Sequence, residues 1–154
     1  MYGLRELDAR EGLTVYTDGS CSHIDRCGGW AWVAFDLYER ETYGHGWELD
    51  TTISLMELRA PAVALDAIYD VHGPSVVLVI SDSEYVVKGI TDRTRKRNKN
   101  VASWLHLDEA VDQHLCVEFM HTKGHADDLG NIEADRIAGE MRQAAKHQAE
   151  KVQV

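Results

Sequence analysis

The hydrophobic positions along this chain change period several times, and each change marks an element. From Leu13 to Ser20, β-branched and aromatic residues dominate the run, which reads as a strand. A polar turn with Gly28 and Gly29 leads into Trp30-Ala31-Trp32-Val33-Ala34-Phe35, and Thr42 to Leu49 alternates weakly around glycines. Three successive strands with short connections predict an antiparallel meander. The spacing then turns helical. Leu55, Leu58, Ala62, Leu65, Ile68 and Tyr69 recur on one face between Ser54 and His72, and Gly73-Pro74 stops the helix. Ser75 to Ile80 runs into five consecutive apolar residues, the mark of a central strand covered on both faces.

A short helix over Tyr85 to Gly89, a basic loop and a helix from Val101 to His114 follow. Leu115 to His121 reads as a further strand. Asn131 to Lys146 reads as a last helix with Ile137, Ala138, Met141 and Ala145 inward. This order predicts an α/β fold: a mixed five-stranded sheet, three antiparallel strands then two parallel, with helices on both faces. One domain is expected over residues 13–147, after a polar lead (1–12) and before a tail (148–154) that frays. Pro61 interrupts the helical pattern, where it removes the bond its own N–H would make to the Glu57 carbonyl and predicts a kink.

Composition adds little to that picture and charge adds more. With 154 residues, 44% hydrophobic and 27% charged, the chain can bury a core without staples. No apolar run reaches membrane-spanning length, and the first residues lack the basic-then-apolar order of a secretory signal. Three cysteines do not suggest a disulfide framework, so a cytoplasmic setting is the expectation; a monomer is expected as well. The net charge of −10 argues against indiscriminate adhesion to polyanions. Yet Arg93, Arg95, Lys96, Arg97 and Lys99 place five of the sixteen basic residues in one short stretch. Cys21, His23 and Cys27 fall close together, but their spacing matches no standard zinc pair and a fourth ligand is missing.

The chemistry lies in four carboxylates. Asp18 ends the first strand in Tyr16-Thr17-Asp18-Gly19-Ser20-Cys21, and Asp82 follows the apolar fourth strand in Asp82-Ser83-Glu84-Tyr85-Val86. Glu57 opens a helix in Met56-Glu57-Leu58, and Asp135 lies near the start of the last helix, ten residues after His125 in Lys123-Gly124-His125. Adjacent parallel strands end at one edge of a sheet, where ligand-binding groups collect. Carboxylates gathered there are hard oxygen ligands suited to divalent magnesium beside phosphate. His125, on a polar loop and titrating near neutrality, suits proton transfer.

Taken with Gly28-Gly29-Trp30, Thr51-Thr52 and Asn100-Val101-Ala102-Ser103-Trp104, these motifs resemble type 1 ribonuclease H over about Leu13 to Met141. The resemblance implies an endoribonuclease that cuts the RNA strand of RNA–DNA hybrids and leaves 3′-hydroxyl and 5′-phosphate ends. It implies two Mg²⁺ ions, replaceable by Mn²⁺, on Asp18, Glu57, Asp82 and Asp135, with His125 as the assisting base. Thr52, Glu84, Arg95, Lys96, Arg97, Asn100 and Lys123 are the expected substrate contacts. The chain departs from the family at Ile53-Ser54, where an Asn-Asn pair is common, at His23-Ile24-Asp25-Arg26 in the first turn, and at Glu84, commonly glutamine. Two alternatives stand beside this reading: a junction resolvase-like nuclease of the same fold, and a hybrid-binding module with impaired catalysis.

Overall fold

The computed structural model describes residues 2–92, 94, 97–124 and 128–152. Arg95, Lys96 and His125 lie outside the described residues. Strands β1 (Leu13–Cys21), β2 (Gly28–Phe35), β3 (Glu41–Glu48), β4 (Val76–Ser81) and β5 (Cys116–His121) form one sheet in the order β3-β2-β1-β4-β5. β1 pairs with β2 antiparallel and with β4 parallel, β2 pairs with β3 antiparallel, and β4 pairs with β5 parallel. The mixed five-stranded sheet expected from the hydrophobic pattern is the one that forms.

Helices α1 (Ile53–His72), α2 (Glu84–Thr91), α3 (Val101–Asp112) and α4 (Leu129–Val152) cover its faces. Leu58, Leu65 and Ile68 of α1 and Trp104 and Leu107 of α3 bury against Val15, Val77 and Val79, giving the larger core. On the opposite face Ala134, Ile137 and Ala138 of α4 pack on Ala31 and Val33. Each large apolar side chain removed from water in this way contributes roughly 1.5–3 kcal/mol, before the entropy of ordering it is subtracted. α1 spans the buried Pro61 as one continuous helix, and Gly73 caps it at φ 71°, a left-handed value that glycine adopts without strain.

Both ends of the described residues carry structure of their own. The lead is not merely polar. A short 3₁₀ turn (Leu4–Glu6) delivers Leu7 into the larger core, and Asp36 accepts the Asp8 N–H at 2.9 Å. At the other end α4 continues to Val152, and Ala145 is its last buried residue.

The parallel pairing places the chemistry. Thr17 is the register partner of Ser81, and Ser81 that of His121. The next residues, Asp18 and Asp82, therefore come side by side just past the β1–β4 pairing, with Asp18 still paired to Ala31 of β2. β1 is also where the sheet switches from antiparallel to parallel pairing.

Candidate active site

Asp18 is 3% exposed, at the point where β1 passes its last partner on β4. Thr52 caps α1 by accepting the Leu55 N–H at 3.2 Å, which aims the first turn of the helix and Glu57 across β1. Gly19 lets the two backbones touch: a Cβ there would lie 2.5 Å from the Glu57 nitrogen. Ser83 caps α2 by accepting the Val86 N–H at 3.3 Å, which leaves Asp82 between the end of β4 and that helix. One carboxylate oxygen each from Asp18, Glu57 and Asp82 then lies within 4.8 Å of the others.

Asp135, exposed on α4, faces the same cluster and contributes to it electrostatically. Burial, then the charges of Glu57 and Asp82 and the hydrogen-bonding neighbour Asp135, push the Asp18 carboxyl up to about 10. Burial and the Asp82 charge raise Glu57 to about 8, opposed by the Gly19 N–H. Burial also raises Asp82, against a lowering hydrogen bond with Asp18. Glu57 keeps one buried carboxylate oxygen with no hydrogen-bond partner. Crowded acids with an unsatisfied oxygen are a poor resting arrangement for a carboxylate cluster and a good one for a divalent cation, whose charge reverses the repulsion. The residues present fit such an ion.

His121 stands beside them. Its Nε2 lies 3.2 Å from the Asp82 carbonyl oxygen, and its proximity lowers the Asp82 carboxyl. Sequence reading sets His121 just before the loop of His125, near the site, and assigns it no role. The signal was its place at the end of β5, level with Ser81 on the neighbouring parallel strand.

The expected substrate residues behave differently from one another. Lys123 is exposed, and Glu84 is exposed but paired with Lys88 at 3.0 Å. Thr52 serves as a helix cap, which leaves its hydroxyl proton available to a phosphate. Asn100 donates to the Tyr85 hydroxyl at 3.2 Å and takes a left-handed conformation at the start of α3. Arg97 departs most from the expected phosphate contact: it turns inward, forms an ion pair with Asp108, and stacks over Trp104.

A mixed sheet that delivers two aspartates from neighbouring parallel strands, with a helix-borne glutamate beside them, defines a nuclease-like α/β architecture. The RNase H family model matches residues 10–143. A Ribonuclease H from Methylobacillus flagellatus is 40% identical across 82% of this chain and 88% of that protein. A Ribonuclease H from a Jannaschia species is 42% identical across 82% and 88%. The crystal structure of LC11-RNase H1 in complex with RNA/DNA hybrid superposes with a TM-score of 0.74 at 19% identity, covering 86% of this chain and 98% of that one. This chain belongs to the ribonuclease H family.

Proposed function

We propose that the protein is an endoribonuclease that hydrolyses the RNA strand of RNA–DNA hybrids with divalent metal bound at Asp18, Glu57, Asp82 and Asp135. The observation that carries the reading is the convergence of Asp18, Glu57 and Asp82 within 4.8 Å, with the Asp135 charge felt by all three. Family membership and relatives named Ribonuclease H support the reaction class.

Asp18, whose carboxyl feels the charges of the other three acids, would hold two divalent ions together with Glu57, Asp82 and Asp135. Bound Mg²⁺, or Mn²⁺, supplies charge neutralisation at the phosphodiester and lowers the pKa of water. The protein's own contribution is to hold the acids at fixed spacing at a sheet edge, against their mutual repulsion. His125 is assigned proton transfer or product release on its loop. Thr52, Lys123, Asn100 and the cations Arg95 and Lys96 are assigned to the nucleic-acid backbones, and recognition of RNA rests on its 2′-hydroxyls. Three free cysteines agree with a monomer working in the reducing cytoplasm.

The test sets labelled RNA–DNA hybrid, duplex DNA, duplex RNA and branched DNA side by side, with and without Mg²⁺. Metal-dependent cleavage confined to the hybrid, giving 3′-hydroxyl and 5′-phosphate ends and lost in Asp18→Asn, is the expected result. Cleavage of branched DNA would point to a resolvase, and tight hybrid binding without turnover to a binding module.

A further inference from the structure

Among the described residues of the basic cluster between α2 and α3, Arg97 turns inward. Its side chain is only 17% exposed. The guanidinium lies 4.3 Å from the centre of the Trp104 ring, Nη2 donates to the Gly89 carbonyl at 2.8 Å, and Nη1 pairs with Asp108 on α3. Trp104 is itself fixed. It is buried in the larger core, and its indole N–H donates to the Tyr85 hydroxyl at 3.0 Å. Gly89 closes the arrangement from α2, where any Cβ would collide with the Trp104 ring. Asn100, at the far end of the connection, donates to the same Tyr85 hydroxyl.

One guanidinium thus ties the α2–α3 connection to the last turns of α2 and to the middle of α3. An arginine suits the task because its planar fork donates in several directions while its face stacks on an aromatic ring, which a lysine ammonium cannot do. The remaining charge of the segment, Arg93, Arg95, Lys96 and Lys99, flanks this anchor closely in sequence.

We propose that Arg97 is a positioning residue for hybrid binding, clamped by Asp108 and stacked on Trp104 so that the cations beside it are presented to the substrate, without touching phosphate itself. The inference rests on the hybrid-nuclease reading for its substrate and on the packing around Trp104 for its mechanism.

The partner acid supplies a test of opposite sign. If charge alone mattered, removing Asp108 would free a cation near a polyanion and tighten binding. Positioning requires the reverse. Asp108→Asn and Arg97→Lys are compared with the unmodified protein for kcat and KM on hybrid, and for Kd by fluorescence anisotropy in an Asp18→Asn background with Mg²⁺. Both variants are expected to raise KM and Kd about fivefold while kcat stays within about twofold, because an interaction that serves binding alone shows in KM. Circular dichroism melts confirm that the variants fold, and Arg97→Lys, the milder change, decides alone if Asp108→Asn does not. Unchanged or tighter binding in either folded variant, or a defect confined to kcat, overturns the proposal. Absence of hybrid cleavage by the unmodified protein would instead remove the nuclease reading, while the anisotropy still decides the role of Arg97.

Discussion

Gly19 and Glu57 meet backbone to backbone: a methyl group on Gly19 would sit 2.5 Å from the Glu57 nitrogen and 2.6 Å from the Met56 carbonyl carbon. These atoms belong to a strand and a helix, so neither yields by rotating a side chain. Gly19→Ala must push the start of α1 away from β1 and carry Glu57 away from Asp18. Overpacking of this kind costs about 1–3 kcal/mol of stability. Weaker Mg²⁺ affinity is expected beyond that, since a displacement of even about 1 Å at a metal site is felt. Isothermal titration with Mg²⁺ and a denaturant melt, run on the same sample, check both. A variant that binds Mg²⁺ like the unmodified protein would show that the close approach does not set the carboxylate spacing.

The cations on either side of Thr94 and Arg97 have a separate signature. Taking away one phosphate-neutralising side chain flattens the slope of log K against log salt by about 0.9. Replacing Arg95 and Lys96 together by alanine is therefore expected to weaken hybrid binding and reduce the slope by up to about 2. Anisotropy titrations from low to moderate salt measure it directly. An unchanged slope would make the strip a solvated loop.

Much of this site was legible in the sequence because its acids sit where apolar runs end. Asp82 follows β4 directly and Asp18 follows the last β1 residue paired with β4, although β1 itself runs on to Cys21; the parallel register Thr17–Ser81 turns that one-dimensional fact into proximity. Glu57 was legible because a clear helical period begins beside it; the Thr52 cap that aims the helix is visible only in the structure. Arg97 was not. Its charge is visible in the sequence, but the Trp104 face and Asp108 that capture it lie on another helix, and nothing local distinguishes it from Lys96. His121 could be set near the site but given no role for a related reason: β5 alternates exposed and half-buried residues, and only its pairing with β4 brings its last residue level with the site. The lead hid a core residue because a lone Leu7 among charged neighbours has no period to betray it.

His125 is expected to govern turnover more than affinity. A general base or acid assisting one step typically contributes about 10² or more, so His125→Ala should lower kcat by roughly 10²-fold with little change in KM. Steady-state kinetics on hybrid across roughly pH 5.5–8.5, a range chosen to bracket the roughly 6.5 of a free imidazole, make the comparison. A variant with normal kcat and raised KM would place the imidazole in substrate binding.

The acid cluster also makes the metal-free protein sensitive to pH in a direction opposite to ordinary acid unfolding. Asp18 and Glu57 are raised in the fold, to about 10 and about 8, above the values they have in an unfolded chain. The folded state therefore holds their protons more tightly. The stabilisation this gives is complete below roughly pH 4, where both groups are protonated in either state, and it is lost as pH rises through the folded values. With EDTA present, the contribution of the cluster to the melting temperature should fall steadily between roughly pH 4.5 and 8. Mg²⁺ binds the ionised acids, so the rise in melting temperature it causes should be larger at about pH 8 than at about pH 5.5. Asp18→Asn, which replaces a carboxyl that must take up a proton to fold at this pH with a neutral amide, should melt about 3–8 °C higher than the unmodified protein in EDTA at about pH 8, a shift of the size expected for one or two kcal/mol in a domain of this length. The same variant should gain little from Mg²⁺. Calorimetric melts of the two proteins at both pH values, with EDTA or Mg²⁺, measure all of these differences, and equal Mg²⁺ increments in both would mean that the ion is held elsewhere.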